Sequence, residues 1–156
     1  MSRFSHLVEI NDLINPLGYV LTREQLWSGL VRRAEEPTQF VLGLDSCRII
    51  SRAGRSLRRE LRFGTLLVRD RVSFAPLDSV RYSVEASTHF PASTLVMRIE
   101  EPQPEHLFVR FEYADQRPEP QGEDVEALQV LHSAYRAADI DTIRGIRRFI
   151  AGSRLN

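Results

Sequence analysis

Residues 122–152, GEDVEALQVLHSAYRAADIDTIRGIRRFIAG, decide how this chain folds. Val125, Leu128, Leu131, Ala134, Tyr135 and Ala138 recur at three- and four-residue steps, which puts them on one apolar stripe of a helix. Asp139-Ile140-Asp141-Thr142 interrupts the stripe. Asp141 reads as a second N-cap, so a kink or break is expected there, with Ile143, Ile146 and Ile150 inward beyond it and Gly152 as the C-terminal cap. From Asp45 to Ala114 nearly everything alternates with the two-residue period of strands. One long amphipathic helix after a run of antiparallel hairpins has the concave face of that sheet as its available partner. The expected fold is α+β, a seven-stranded antiparallel sheet curved around the C-terminal helix with a cavity between them, in a single domain over residues 1–156.

The hairpins set which side chains share that concave face. Phe63 and Leu66 flank Gly64-Thr65, a two-residue loop with glycine first, as a type II′ turn requires. Leu61 then faces Val68, Arg59 faces Asp70 and Leu57 faces Val72 on one side, while Glu60, Arg69, Arg58 and Arg71 lie on the other. A one-residue slip would bury the outer arginines, so the register is well specified. If the turn at Ala53-Gly54-Arg55 has three residues, Cys47 and Ile49 are inward as well. Val80, Tyr82, Val84 and Ala86 continue this face, followed by Leu95, Met97 and Ile99, and by Leu107, Val109, Phe111 and Tyr113.

Ahead of the sheet, Phe4, His6, Val8 and Ile10 share one face of a first strand, which Asn15-Pro16 and Gly18 end. Thr22 and Gln25 form a capping box, with Leu21 and Leu26 as its staple, for a helix running to about Glu36 with Leu26, Trp27, Leu30, Val31 and Ala34 inward. Gly43 makes Phe40 to Leu44 a turn under the sheet rather than a strand. Asp115 to Glu123, with Pro118, Pro120 and Gly122, links sheet to C-terminal helix.

Composition narrows the function. All 21 basic residues are arginine, which excludes Schiff-base catalysis, pyridoxal phosphate attachment and a P-loop lysine within this chain. A net charge of zero argues against nucleic acid as the main partner. Charge is uneven, however, with eight arginines against Glu60 and Asp70 between Arg48 and Arg71 and nine acids against Arg110 and Arg117 between Glu100 and Glu126. Both tracts read first as solvated surface. No apolar run approaches the ~18 residues of a membrane span, and the opening residues lack a signal peptide's apolar region, so a soluble cytoplasmic protein is expected. The single cysteine, Cys47, excludes an intrachain disulfide and a cysteine metal cluster.

The order strand, one or two helices, six strands and a long helix resembles the helix-grip order of the START/Bet v 1-like (SRPBCC) superfamily. Several stretches are similar to one branch, the AtaL-like family of uncharacterised proteins. They are Leu21-Thr22-Arg23-Glu24-Gln25-Leu26-Trp27 with Gly29-Leu30, Gly43-Leu44-Asp45-Ser46-Cys47, Arg59-Glu60-Leu61-Arg62-Phe63, Val68-Arg69-Asp70-Arg71-Val72 and Ile99-Glu100-Glu101-Pro102. Leu42 departs from the pattern, where proline is expected. The resemblance implies a hydrophobic cavity. The family has no agreed catalytic set, so it transfers no active-site residue, and a shared fold does not by itself give function.

The candidate ligand-binding residues are therefore the inward side chains. They comprise His6, Val8, Ile49, Arg59, Leu61, Asp70, Val72, Tyr82, Val84, Met97, Val109, Phe111, Tyr113, Leu131 and Tyr135. Arg59 and Asp70 read as a polar anchor for a ligand carboxylate or enolate, or as a buried ion pair that fixes register, and the structural reading is favoured. Each inward tyrosine is either core or a hydroxyl that orients a ligand. His6 is the one histidine expected to see the cavity, and more as a core residue than as a ligand-binding group; His89 and His132 are expected on the surface. No histidine spacing suits zinc, and neither metal nor cofactor is expected. Cys47, without a neighbouring base, reads as packing.

Three functions remain. The favoured one is binding of a hydrophobic small molecule, lipid-, polyketide- or aromatic-like, between sheet and helix. A polyketide cyclase or dehydratase-like enzyme would use the same cavity, with His6, Tyr82, Tyr113 or the Arg59–Asp70 pair supplying its proton donor or acceptor. A protein-interaction module would use the arginine-rich outer face of the sheet.

Overall fold

The computed structural model describes residues 1–14, 19–118 and 121–154. Its elements are β1 (Ser2–Glu9), α1 (Arg23–Glu35), a 3-10 turn (Pro37–Gln39), β2 (Ser46–Ala53), β3 (Ser56–Phe63), β4 (Leu66–Ala75), β5 (Ser79–Val84), β6 (Ser93–Gln103), β7 (His106–Asp115) and α2 (Glu123–Arg154). The strands form one antiparallel sheet in the order β1-β7-β6-β5-β4-β3-β2, curved around α2. Asn15-Pro16 and Gly18, expected to end the first strand, and Pro120 of the linker lie outside the described residues.

Gly64, at φ +60°, turns β3 into β4 and sets Arg59 opposite Asp70 and Leu57 opposite Val72, as the sequence predicts. The neighbouring hairpin reaches its expected face by another route. Ala53 pairs with Ser56, so the turn has two residues rather than three. A bulge at Ile50 then shifts the register by one, and Cys47 and Ile49 face inward opposite Leu61 and Arg59.

At the start of α1, Thr22 Oγ1 accepts from the Gln25 amide at 3.1 Å and Gln25 Oε1 accepts from the Thr22 amide at 2.9 Å, so the capping box forms. Leu26, Leu30 and Ala34 are fully buried on its inner face. Gly29 lets α2 approach, since a Cβ there would overlap the Ile146 side chain. Around this crossing sits the core, where Met97, Val109, Phe111 and Ile146 have no exposed surface. Burying each such side chain contributes roughly 1.5–3 kcal/mol.

The C-terminal helix departs from expectation in three ways. It runs without interruption from Glu123 to Arg154, so there is no break at residues 139–142 and Gly152 lies inside the helix rather than capping it. Asp141 is exposed and bonds only along the helix, to Arg144, whereas Asp139 and Thr142 are buried. Asp139 and Thr142 are thus drawn inward to partners across the fold instead of outward to a cap. Finally, the apolar stripe is uneven: Ile143, Ile146 and Ile150 are buried, but Val125 is 40% exposed and Ala134 and Ala138 are also exposed. No helix among the described residues is long and apolar enough to cross a membrane.

Candidate functional site

Under the first half of α2 the sheet is not filled. A cavity of about 250 Å³ lies there, walled by β3 to β7, by Leu128, Leu131 and Tyr135 of α2, and by Arg33 of α1. This is smaller than the ~300–1,000 Å³ of a drug-sized site. The large inward residues explain the difference, because Phe111 and Met97 fill the other half of the concave face completely.

Eight of the candidate residues line this space. Arg59, Leu61, Asp70, Tyr82 and Val84 come from the strands, with Tyr113 beside them on β7, and Leu131 and Tyr135 come from α2. Val72, Met97, Val109 and Phe111 lie instead in the packed core, fully buried. Val8 and Ile49 are partly buried against that core. His6 stands behind the wall, stacked on Phe111 with ring centroids 5.4 Å apart.

The polar groups are strongly organised. Arg59 donates from Nε to Asp70 Oδ1 at 2.9 Å, from one terminal nitrogen to Asp70 Oδ2 at 2.6 Å, and from the other to the Ala34 carbonyl at 2.7 Å. Burial pushes this guanidinium down, but the hydrogen bond and charge of Asp70 outweigh it and leave Arg59 raised. Every nitrogen of Arg59 is therefore occupied. It ties β3 to β4 and to the end of α1, which is the register-fixing arrangement. Arg117 and Asp115, also on the lining, pair through one oxygen, with Nε 2.9 Å and a terminal nitrogen 2.5 Å from Oδ2.

A second network was not foreseen. Tyr113 donates its hydroxyl to the Asp139 carboxylate, at 2.8 and 2.7 Å to its two oxygens, and His6 Nε2 lies 2.6 Å from Asp139 Oδ2. Asp139 is only 2% exposed. Burial holds it above the ordinary carboxyl range, although bonds from His6 and Tyr113 and the charge of Arg33 pull the other way. Burial, then the Asp139 charge, raises Tyr113 so far that the phenol stays protonated. The Tyr113 ring stacks face to face on Tyr135, with centroids 4.1 Å and planes 4° apart, and both rings border the cavity. His132, expected on the surface, is half-buried and stacks on Phe4 at 3.9 Å. The signal for Asp139 was in the chain: Leu131, Tyr135 and Asp139 follow at four-residue steps, so the acid sits on the inward stripe.

Cys47 is partly buried, and burial raises its thiol, as suits an inert side chain. His89 is exposed.

A sequence model of the family described as "Acetylaranotin biosynthesis cluster protein L" (AtaL) matches residues 8–153. None of the curated proteins matches significantly in sequence. Among solved structures, the di-domain ARO/CYC StfQ from the steffimycin biosynthetic pathway superposes with a TM-score of 0.72 at 11% identity, over 99% of this chain and 52% of that one. This chain thus spans about half the length of StfQ. The Zhui aromatase/cyclase from Streptomyces sp. R1128 gives 0.61 at 11% identity, over 96% and 93% of the two chains. Ara h 8.0201 gives 0.62 at 11%, over 97% and 98%. At such identities the likeness is one of fold, and it is the Bet v 1-like helix-grip fold.

Proposed function

This chain belongs to the AtaL family, and from that premise we propose that it is a binding module for a hydrophobic small molecule held between sheet and C-terminal helix. The observation that carries the reading is the half-filled concave face. One half of the sheet is packed to completion while the other keeps an apolar cavity bordered by the stacked Tyr113 and Tyr135 rings. Retaining such a space sacrifices burial that larger side chains would supply. Planar, polyketide-like or aromatic molecules suit an apolar space bordered by the Tyr113 and Tyr135 rings. The family's description refers to a biosynthesis cluster, and two proteins of similar fold are the ARO/CYC StfQ and the Zhui aromatase/cyclase, which agrees with ligands of that class.

An uncharged environment-sensitive dye such as Nile red tests the reading. The folded protein should bind it, and Val84→Trp, which fills the cavity from β5, should reduce affinity at least about tenfold without unfolding the chain. Met97 is unsuitable for the same purpose, because it lies in the filled half and a tryptophan there would overpack the core. Dye binding confined to denatured protein would sink the proposal.

The Tyr113–Asp139–His6 network favours a second reading, a cyclase or dehydratase-like enzyme. Tyr113 is a protonated hydroxyl on the cavity wall, and the carboxyl behind it can hold a replacement proton. Product formation from a polyketide-like ketone that continues unchanged in Tyr113→Phe would rule this out.

A further inference from the structure

Among the described residues, four arginines but two carboxylates line the cavity: Arg3, Arg33, Arg59 and Arg117 against Asp70 and Asp115. The two carboxylates are already committed, Asp70 to Arg59 and Asp115 to Arg117. Arg3 is exposed at the rim. That leaves Arg33, on the α1 side of the cavity, which forms no ion pair among the described residues. Its one hydrogen bond is a long one, from Nε to Thr142 Oγ1 at 3.4 Å. Asp139 is the carboxyl whose charge it senses, and that group is engaged by His6 and Tyr113.

Beside Arg33 stands Tyr82. Its ring lies under both guanidiniums, with Arg33 Cζ 5.3 Å and Arg59 Cζ 5.2 Å from its centroid. Tyr82 is only 3% exposed, and its hydroxyl is buried with no hydrogen-bond partner. A buried hydroxyl left unpaired is costly, and few side chains leave one so. An unpaired cation therefore lines an otherwise apolar space, with an orphaned donor buried beside it.

We infer that the ligand is an acid: a small aromatic or polyketide-like body carrying one anionic oxygen group, a carboxylate or enolate, which Arg33 pairs and to which Tyr82 donates. The inference rests on the binding reading above and adds the charge of the ligand to it. The Arg59–Asp70 pair then serves as scaffold beneath the anion site, because the charge of Arg59 is already matched by its carboxylate partner. Guanidinium N–H groups in the low-dielectric wall suit such an oxygen pair, as does a phenol hydroxyl that donates a hydrogen bond.

The test compares 2-naphthoate with 2-naphthamide, two probes of one shape and different charge, by calorimetric titration of the folded protein. Naphthoate should bind at least about tenfold more tightly. Arg33→Gln should abolish that preference while naphthamide binding stays unchanged, which also reports that the variant is folded. Arg33→Lys should keep part of the preference, and Tyr82→Phe should weaken naphthoate alone. Equal binding of the two probes to the unsubstituted protein, or a preference that survives Arg33→Gln, overturns the acid inference and leaves the cavity reading standing. Binding of neither probe overturns both.

Discussion

Asp139 shows how one residue can change the meaning of a stretch. Within Asp139-Ile140-Asp141-Thr142 a short acidic side chain has two outlets, the amides of a new helix start or a partner across the fold. Sequence offers the first, because capping is local; the second depends on His6, 133 positions away. Arg59 and Asp70 were legible for the opposite reason, since a two-residue turn counts them into opposition. Burying Asp139 has a pH signature. The folded chain holds its proton more tightly than the unfolded chain does. That contribution therefore favours folding below the ordinary carboxyl range and is lost as pH rises through the raised pKa. His6, Tyr113 and Arg33 face it and offset part of the loss. Asp139→Asn keeps the shape without the titration. Urea unfolding of the two proteins should show the variant gaining relative stability as pH climbs from about 4 to about 7. A difference that stays constant over that range would refute the assignment.

At the scale of elements, hairpins were easier to place than helices. Alternation and turn chemistry fix a strand's face locally, and they gave the inward sides of β3 to β7 except at Ala86, which is exposed beyond the end of β5. The bulge at Ile50 left no such mark. A two-residue turn plus one extra residue gives the same face as a three-residue turn, so the sequence pattern could not tell them apart. Helix contacts are less legible still, because they depend on which residues meet between elements. Gly29 is the example. In an isolated helix Gly29→Ala would be stabilising by about 1 kcal/mol. Here the added methyl meets Ile146, which is fully buried and β-branched, with nowhere to turn. The substitution should instead lower stability by about 1–3 kcal/mol in chemical denaturation, and in an Ile146→Ala background the same substitution should cost less. A neutral or stabilising Gly29→Ala would mean that α1 and α2 do not cross this closely.

For the whole molecule, the curved sheet and its helix were readable from element order, while the partition of the space between them was not. The inward face lists Phe111 and Tyr113 two residues apart, yet one is sealed in the core and the other walls the cavity. What separates them is where α1 crosses beneath α2, a fact of three dimensions that no periodicity carries. The same crossing divides α2. Its second half presses Ile143, Ile146 and Ile150 into the core, while the first half touches the fold through Leu128, Leu131 and Tyr135 and leaves Val130 71% exposed. A single helix then joins two local stabilities. In hydrogen–deuterium exchange, amides near residues 143–150 should wait for global unfolding, whereas those near 125–133 should exchange through fraying of the first turns. A bound molecule should slow the second group and leave the first alone. Uniform protection along the helix would contradict this. Residence time would accordingly be set by how often a few helical turns loosen, and the sheet would never need to open for traffic in either direction.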